Sequence, residues 1–547
     1  MSRRRSEWTV VALALLVGLG AGILFAASAR GRIAPQSDLW DYAQEARQIA
    51  RGEGFTSLYT YPVHLRPGDT PPFPVRWRLP LYAILGAGMI RAGVALPDGF
   101  LLLGAITHAV LVALIALLAM RLAGGLGAGG GTAAGPLLAG PADAGTPGAT
   151  AAAGAIAAAC AVLCPLFLDS YNPGMSQTLA AVLGLSVWLV ALRGGGWAGT
   201  ILAAMAAAAA WYLRGESVLF APLWAWAIAR APDRRSGRDA RRFGAGHAAG
   251  FLLLYAALCL PWLIAVRVSE GSAAPLQGNP MLLYTHEYPG YSSARSLGAS
   301  LPGPLAYVLG NPGSFALRYL KDLAGYLVDL IGGLGPVAVA LLIAGAVLGA
   351  ARTLPIPLVL AVPWQVLALS ALERSPRFLV PVAPIACAAI GVAGASLLAS
   401  PRARRVLLAV VGGLLLERAA TLAYQRTDAH RKEPPLPVAL SRALGPRAEA
   451  WPRQALLLTD VPDWAAWQLD RPALLLPLSR DLSRLTSTRA VSGILLSPRA
   501  RARNVADADT AWVNQIDGGG SIPGFHGPES LPGGAWWYAR AGSPARE

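Results

Sequence analysis

The chain has 547 residues, 54% of them hydrophobic and only 14% charged, with a mean hydropathy of +0.47. Soluble domains carry roughly a quarter charged residues, so this composition excludes a soluble protein and describes a polytopic membrane one. The net charge of +16 is almost wholly arginine, Lys321 and Lys432 being the only lysines; these arginines cluster in loops beside apolar runs, which suits oxyanions and argues against nucleic acid.

In chain order, MSRRRSEW leads into an apolar run at 8–28 with no small-residue cleavage site, and reads as an uncleaved signal anchor. Further runs of about membrane length lie at 98–118, 148–168, 175–192, 247–266, 333–350, 354–372, 378–399 and 405–424. Shorter ones lie at 79–90, 198–213 and 218–229. The basic segments Arg3–Arg5, 229–242 and 401–405 belong on the cytoplasmic side. Parity is kept if 79–90 is re-entrant or lies on the surface, which gives about eleven spans. Merging 198–229 into one span is the other repair, and it buries Arg214 and Glu216. The preferred repair places Asp38, Asp169, Arg214, Glu216 and Arg377 on the outer side. The Gly-, Ala- and Pro-rich stretch 122–147 reads as a flexible linker. The four cysteines all lie in apolar runs and read as small buried hydrophobes.

The expected architecture is a mainly α, polytopic transmembrane helix bundle over 1–425, with outer loops at 29–78 and 267–332. A small extracytoplasmic α/β domain follows over 426–547. Within it QALLLTD (454–460), ALLLPL (473–478) and GILLS (493–497) predict buried strands, with short helices between them. Residues 498–547 show turn signals without periodicity and are expected to be irregular.

Several polar constellations can carry chemistry. Ser37 is a good helix N-cap and Gly52 a good stop, predicting a helix over 38–51. Asp38, Tyr42, Ala46 and Ile49 share its packing face, whereas Asp41 and Glu45 lie on another and are expected to be solvated. Asp38 is then either a reactive acid at the membrane boundary or a first-turn Asp favoured by the helix dipole. Arg76 and Arg78 flank Trp77 before the next apolar run, as lipid-phosphate ligands or interfacial anchors. Asp169 is the sole acid of PLFLDSYNPGMSQTL (165–179), and either assists catalysis or caps a helix. Arg214 and Glu216 suit an ion pair. Arg377 opens a span as an anchor or a ligand. His286 and Glu287 form one possible metal pair, lacking a third ligand.

SDLWDYAQEARQIARGEGF (37–55), RLPLY (78–82), PLFLDSYNPGMSQTL, WYLRGES (211–217), LPWLIAVR (260–267) and SPRFLVPVAP (375–384) occur in that order. The series resembles the membrane glycosyltransferases of the GT-C class, and most closely the protein O-mannosyltransferase-like and lipid A aminoarabinose transferase-like group. The likeness covers most of residues 1–480. It implies a catalytic acid at Asp38 with Tyr42 as one of its usual followers, an Arg-x-Glu turn at Arg214 and Glu216, and an Arg-aromatic pair at Arg377 and Phe378. Two departures stand out. Leu39 follows Asp38 where many relatives have a second acid, and Gln177 occupies the position of the acid usual in the second outer motif. Asp169 is the candidate substitute, and a divalent metal ion is left open.

The reaction so implied is inverting transfer of a sugar from a polyprenyl-phosphate donor to an extracytoplasmic lipid, glycan or protein acceptor. Asp38 would be the general base, and Arg76, Arg78 or Arg377 would hold the donor phosphate. The expected setting is the bacterial plasma membrane, with the N-terminus cytoplasmic and membrane lipids as neighbours. The rival class is a transporter or flippase for a lipid-linked or small polar substrate, which the broken run 198–229 favours. An inactive assembly scaffold is a third reading.

Overall fold

A computed structural model describes the chain except for residues 1–2, 36, 126–146, 170–172, 175, 195, 231–237, 271–291, 299–303, 348–353, 373, 398–402, 433–434, 502–508, 510–511, 513–519 and 542–547. The linker stretch 122–147 and the basic segment 229–242 therefore fall largely outside the described residues, and His286 and Glu287 fall wholly outside them.

The chain divides into two compact units. The first comprises Met1–Arg30, Phe100–Pro275 and Tyr319–Ala429; the second comprises Gly31–Gly99, Leu276–Arg318 and His430–Glu547. The sequence boundary at 425/426 falls near the last of these crossings. The second unit, however, also takes in the first polar loop.

The first unit is helical. Among the described residues, five helices are long and apolar enough to cross a membrane: Arg5–Ala29, Asp98–Gly124, Ser176–Arg193, Gly196–Leu213 and Gly244–Val268. A sixth results if Pro312–Leu334 and Pro336–Ala344, bent by 99° at Gly335, count as one span. The number therefore stays below the eleven expected from hydropathy. Pro147–Val162, Ile356–Leu369 and Ala383–Leu397 form apolar helices of 16, 14 and 15 residues, short of the ~20 that a straight crossing needs. The run 198–229 is broken at Arg214 into Gly196–Leu213 and Ala221–Ala229.

Helices in this unit approach closely through small residues, as membrane helices do where burying apolar area supplies little drive. A Cβ added at Gly391 would lie 2.4 Å from the Ala153 carbonyl oxygen and 2.7 Å from the Ala157 Cβ. The Pro147–Val162 and Ala383–Leu397 helices thus touch almost backbone to backbone. Gly391→Leu is expected to destabilise the purified protein by about 1–3 kcal/mol, read as a lower melting temperature in detergent. Gly412→Ala, where nothing lies within 4 Å of the added methyl group, is the control and leaves the melting temperature near that of the wild type.

The second unit is built on a sheet. Strands β1 (Thr56–Ser57), β2 (Tyr59–Thr60) and β3 (Phe73–Pro74) come from the first loop; β4 (Leu456–Thr459), β5 (Ala473–Leu475), β6 (Val491–Leu496), β7 (Phe525–Leu531) and β8 (Ala535–Arg540) come from the tail. β1 pairs with β3, and the remaining six form one sheet in the order β2-β5-β4-β6-β8-β7. β2, β5, β4 and β6 run parallel, with Leu458 opposite Leu474 and Ile494. Parallel strands are covered on both faces, which explains why their sequences are unbroken apolar runs. The helices Pro462–Leu469 and Ser479–Thr488 form the crossovers between them.

The expectation that 498–547 is irregular is corrected by the antiparallel pairing of β7 with β8 and of β8 with β6. β7 is an edge strand that buries only its two end residues, Phe525 and Leu531, so its sequence carries no alternating apolar signal. The intervening turn uses Gly533 and Gly534, both at φ +78°.

Candidate active site

The first-loop helix forms where its caps place it. It spans Asp38–Arg51; the Ser37 hydroxyl accepts from the Leu39 amide at 3.3 Å, and Gly52 closes it at φ +86°. Its C-terminal half is latched onto the tail helix Pro462–Leu469. Arg47 donates to the carbonyls of Trp467 and Ala466 at 2.9 and 2.8 Å, and Arg51 makes a fork with Asp470 at 2.8 and 2.9 Å.

Its N-terminal half carries the acids. Arg78 lies between two carboxylates one helical turn apart: Nη2 is 2.8 Å from Asp38 Oδ1 and Nε is 2.6 Å from Asp41 Oδ2. The guanidinium also sits 5.1 Å from the centre of the Tyr42 ring, and that ring packs edge-on to Tyr82. Asp41 receives a further hydrogen bond from Trp77 Nε1, at 3.2 and 3.3 Å to its two oxygens. The Asp38 side chain keeps 18% of its surface exposed, against 2% for Asp41. Of the two acids that hold Arg78, Asp38 is the one open to a substrate.

The expectation that Asp41 and Glu45 are solvated is overturned: they are 2% and 0% exposed. The helix is buried on nearly all sides because the rest of the first loop and the tail both pack on it, which helical periodicity alone does not encode. Neither oxygen of Glu45 has a hydrogen-bond donor among the described residues. Desolvation raises its carboxyl well above the usual carboxylate range, and the neighbouring Asp41 charge adds to this. The core of the cluster sets Asp38 and Asp41 against the single guanidinium of Arg78. Desolvation, then Asp41, likewise pushes Asp463 up.

A stability prediction follows with a definite sign. Folded Glu45 binds its proton more tightly than the unfolded chain does, so its contribution is fully present below the unfolded pKa and is lost as pH rises through the folded one. Glu45→Gln is expected to flatten this fall, melting above the wild type at pH 9 and close to it at pH 5. Thermal unfolding at the two pH values checks it; parallel curves would refute it.

Arg76 is held by Asp69, with Nη1 at 2.7 Å and Nη2 at 3.2 Å, and donates from Nη1 to the His64 carbonyl at 2.7 Å. Although burial acts against it, the Arg76 guanidinium holds Asp69 below the usual carboxylate range. The His64 ring stacks on Trp77, and burial, with Arg76 and Arg66 adding, lowers its pKa to about 4. The sequence does not mark Asp69 or Trp77 as a partner of this cluster. Proximity of Asp69 to the arginines in the chain was the one available signal.

The remaining sequence candidates lie in the helical unit. Arg214 and Glu216 pair at 2.6 Å where the 198–229 run breaks, with the Arg214 guanidinium 5.4 Å from the centre of the Phe378 ring. Arg377 also packs on that ring, at 5.6 Å. Asp169 and Arg377 line one open cavity, together with Gln177, Thr178 and apolar residues such as Phe25 and Leu101. Asp38, Tyr42, Arg76 and Arg78 thus belong to one unit, and Asp169, Arg214, Glu216 and Arg377 to the other.

The chain shares its fold with solved structures of an archaeal oligosaccharyltransferase. The solved structures that share it include the oligosaccharyltransferase of Archaeoglobus fulgidus in its apo form, at a TM-score of 0.56 and 13% identity over 98% of this chain and 75% of that one. The same archaeal enzyme, AglB, in complex with an inhibitory peptide and a dolichol-phosphate matches at a TM-score of 0.54 and 14% identity, over 99% and 75%. Its complex with zinc and sulfate matches at 0.54 and 13%, over 97% and 73%. No family model and no curated protein matches the chain. At such identities the likeness is one of fold, and at that level it agrees with the resemblance read from the sequence.

Among the described residues, no three His, Cys, Asp or Glu side chains converge to hold a metal ion. Asp38 faces a guanidinium, and the cavity in the helical unit offers the neutral amide of Gln177 beside Asp169. These described residues do not make a divalent-cation site.

Proposed function

We propose that the protein is a membrane glycosyltransferase moving a sugar from a polyprenyl-phosphate donor to an extracytoplasmic acceptor with inversion. The observation that carries this is the Asp38 carboxylate, paired with Arg78 at 2.8 Å and accessible at the start of an otherwise buried helix. The acceptor hydroxyl attacks the anomeric carbon, its proton passes to Asp38, and the bond to the lipid phosphate breaks with its electron pair leaving on the phosphate oxygen. Asp41 shares Arg78, so the guanidinium is not committed to Asp38 alone.

Charge on the departing phosphate is compensated by arginine. Arg76 and Arg78 are each engaged by carboxylates at 2.6–2.8 Å, and Arg377 lines a cavity; Arg377, on the same cavity as Asp169, is the proposed phosphate ligand. In this reading the protein sits in a bacterial plasma membrane with its N-terminus cytoplasmic, and 426–547 forms an extracytoplasmic α/β domain. Five apolar helices and the shared fold of a protein solved with dolichol-phosphate support the lipid-linked donor.

The break at Arg214 favours a transporter as the second reading, but the Arg214–Glu216 pair closes on itself and leaves no net charge there for a substrate. Deleting the gene and profiling envelope lipids and glycans by mass spectrometry separates the two. The enzyme predicts an unspent polyprenyl-phosphate sugar and loss of its glycosylated product. Unchanged glycans with a solute held on the wrong side of the membrane would overturn it.

A further inference from the structure

We infer that the cavity of the helical unit is a sugar-reading site in which the Gln177 side-chain amide hydrogen-bonds a neutral hydroxyl or amide group of the donor. This rests on the proposed donor class and adds to it the residue that recognises the sugar end.

Gln177 lies in the first turn of the Ser176–Arg193 helix and is 4% exposed. Its Nε2 and Oε1 are both buried without a hydrogen-bond partner among the described residues, and the residue lines the same cavity as Asp169, Thr178 and Arg377. An amide left unpaired in a folded interior is costly, and such orphans are rare in native proteins. Here the orphan sits at the wall of a cavity with room for a group that would satisfy it. A primary amide offers two N–H donors and one acceptor oxygen at once, which is the complement of a hydroxyl or an acetamido group. It offers no charge, so it discriminates by pairing and not by attraction. Arg377 supplies the opposite need on the same cavity, a fixed cation for an oxyanion. A ligand that satisfies both carries an anionic oxygen and a neutral hydrogen-bonding group in one molecule, as a glycosyl phosphate does.

Two properties of the chain then have one origin. The unpaired amide is a destabilising feature kept for binding, so Gln177→Leu, similar in volume but without polar atoms, is expected to melt at the same temperature as the wild type or higher. The same substitution removes the reading of the sugar while leaving Arg377 in place.

The test uses the full chain reconstituted in lipid nanodiscs, titrated with undecaprenyl phosphate and with undecaprenyl phosphate carrying a hexose or an N-acetylhexosamine. The wild type is expected to bind a glycosylated lipid at least about tenfold more tightly than the bare phosphate. In Gln177→Leu that preference disappears while affinity for the bare lipid phosphate is kept; in Arg377→Gln affinity for both falls. If Gln177→Leu, shown folded by its melting temperature, prefers the glycosylated lipid as the wild type does, the inference fails and the donor class stands. If the wild type binds neither kind of lipid, the donor class itself fails, and the inference with it.

Discussion

Asp38→Asn is expected to leave the protein folded and to lower sugar transfer by about 10²–10⁴-fold, the usual contribution of a positioned general base. Folding survives because Asn keeps the shape of the side chain and Arg78 keeps its 2.6 Å contact with Asp41. A partly exposed ion pair such as Asp38–Arg78 contributes little, about 1 kcal/mol or less. Activity does not survive, because an amide oxygen cannot take up the acceptor's proton as the new bond forms. The measurement is transfer to acceptor in proteoliposomes supplied with the lipid-linked sugar, with a melting curve on the same preparation. Turnover within a few-fold of the wild type would remove Asp38 from the mechanism.

The residues that sequence reading placed well are those whose role is local. Ser37 and Gly52 bound the first-loop helix through cap chemistry that needs no tertiary partner, and the helix ends where they end it. The runs at 454–460, 473–478 and 493–497 contain β4, β5 and β6, because a strand covered on both faces must be apolar throughout. What escaped depends on distant chain. β2 is two residues long and extends the edge of a sheet made more than 400 positions later, so nothing at Tyr59 or Thr60 announces it. Glu45 and Asp41 sit off the apolar stripe of their helix, and only docking of the tail buries them. The candidate acid Asp38 is legible from its place in the first turn, just after the Ser37 cap; the clamp that holds it is not, since Arg78 comes from the far end of the same loop. In the sequence Gln177 stands out as a departure from a resemblance. That both ends of its amide lack a partner among the described residues is visible only once the cavity is formed.

Removing the clamp gives the largest structural effect. Arg78→Met is expected to destabilise the protein by about 3–5 kcal/mol, the usual result of deleting one partner of a buried ion pair. Asp41, 2% exposed, would lose its 2.6 Å guanidinium partner and keep the weaker hydrogen bond from Trp77 Nε1 at 3.2 Å. Adding Asp41→Asn to this variant should recover much of the loss, because the uncompensated charge is then absent. Acid should do the same to the single variant. An unpaired buried carboxyl has a raised folded pKa, so its penalty shrinks as falling pH protonates it; the gap to the wild type should narrow between pH 8 and pH 5. A lipid-phosphate ligand behaves otherwise, since its loss weakens donor binding, leaves the melting temperature unchanged, and gains nothing from Asp41→Asn. Melting curves of the single and double variants at both pH values therefore decide whether Arg78 organises the acids or holds the donor. A stable Arg78→Met protein with weakened lipid-phosphate binding would return the phosphate to Arg78.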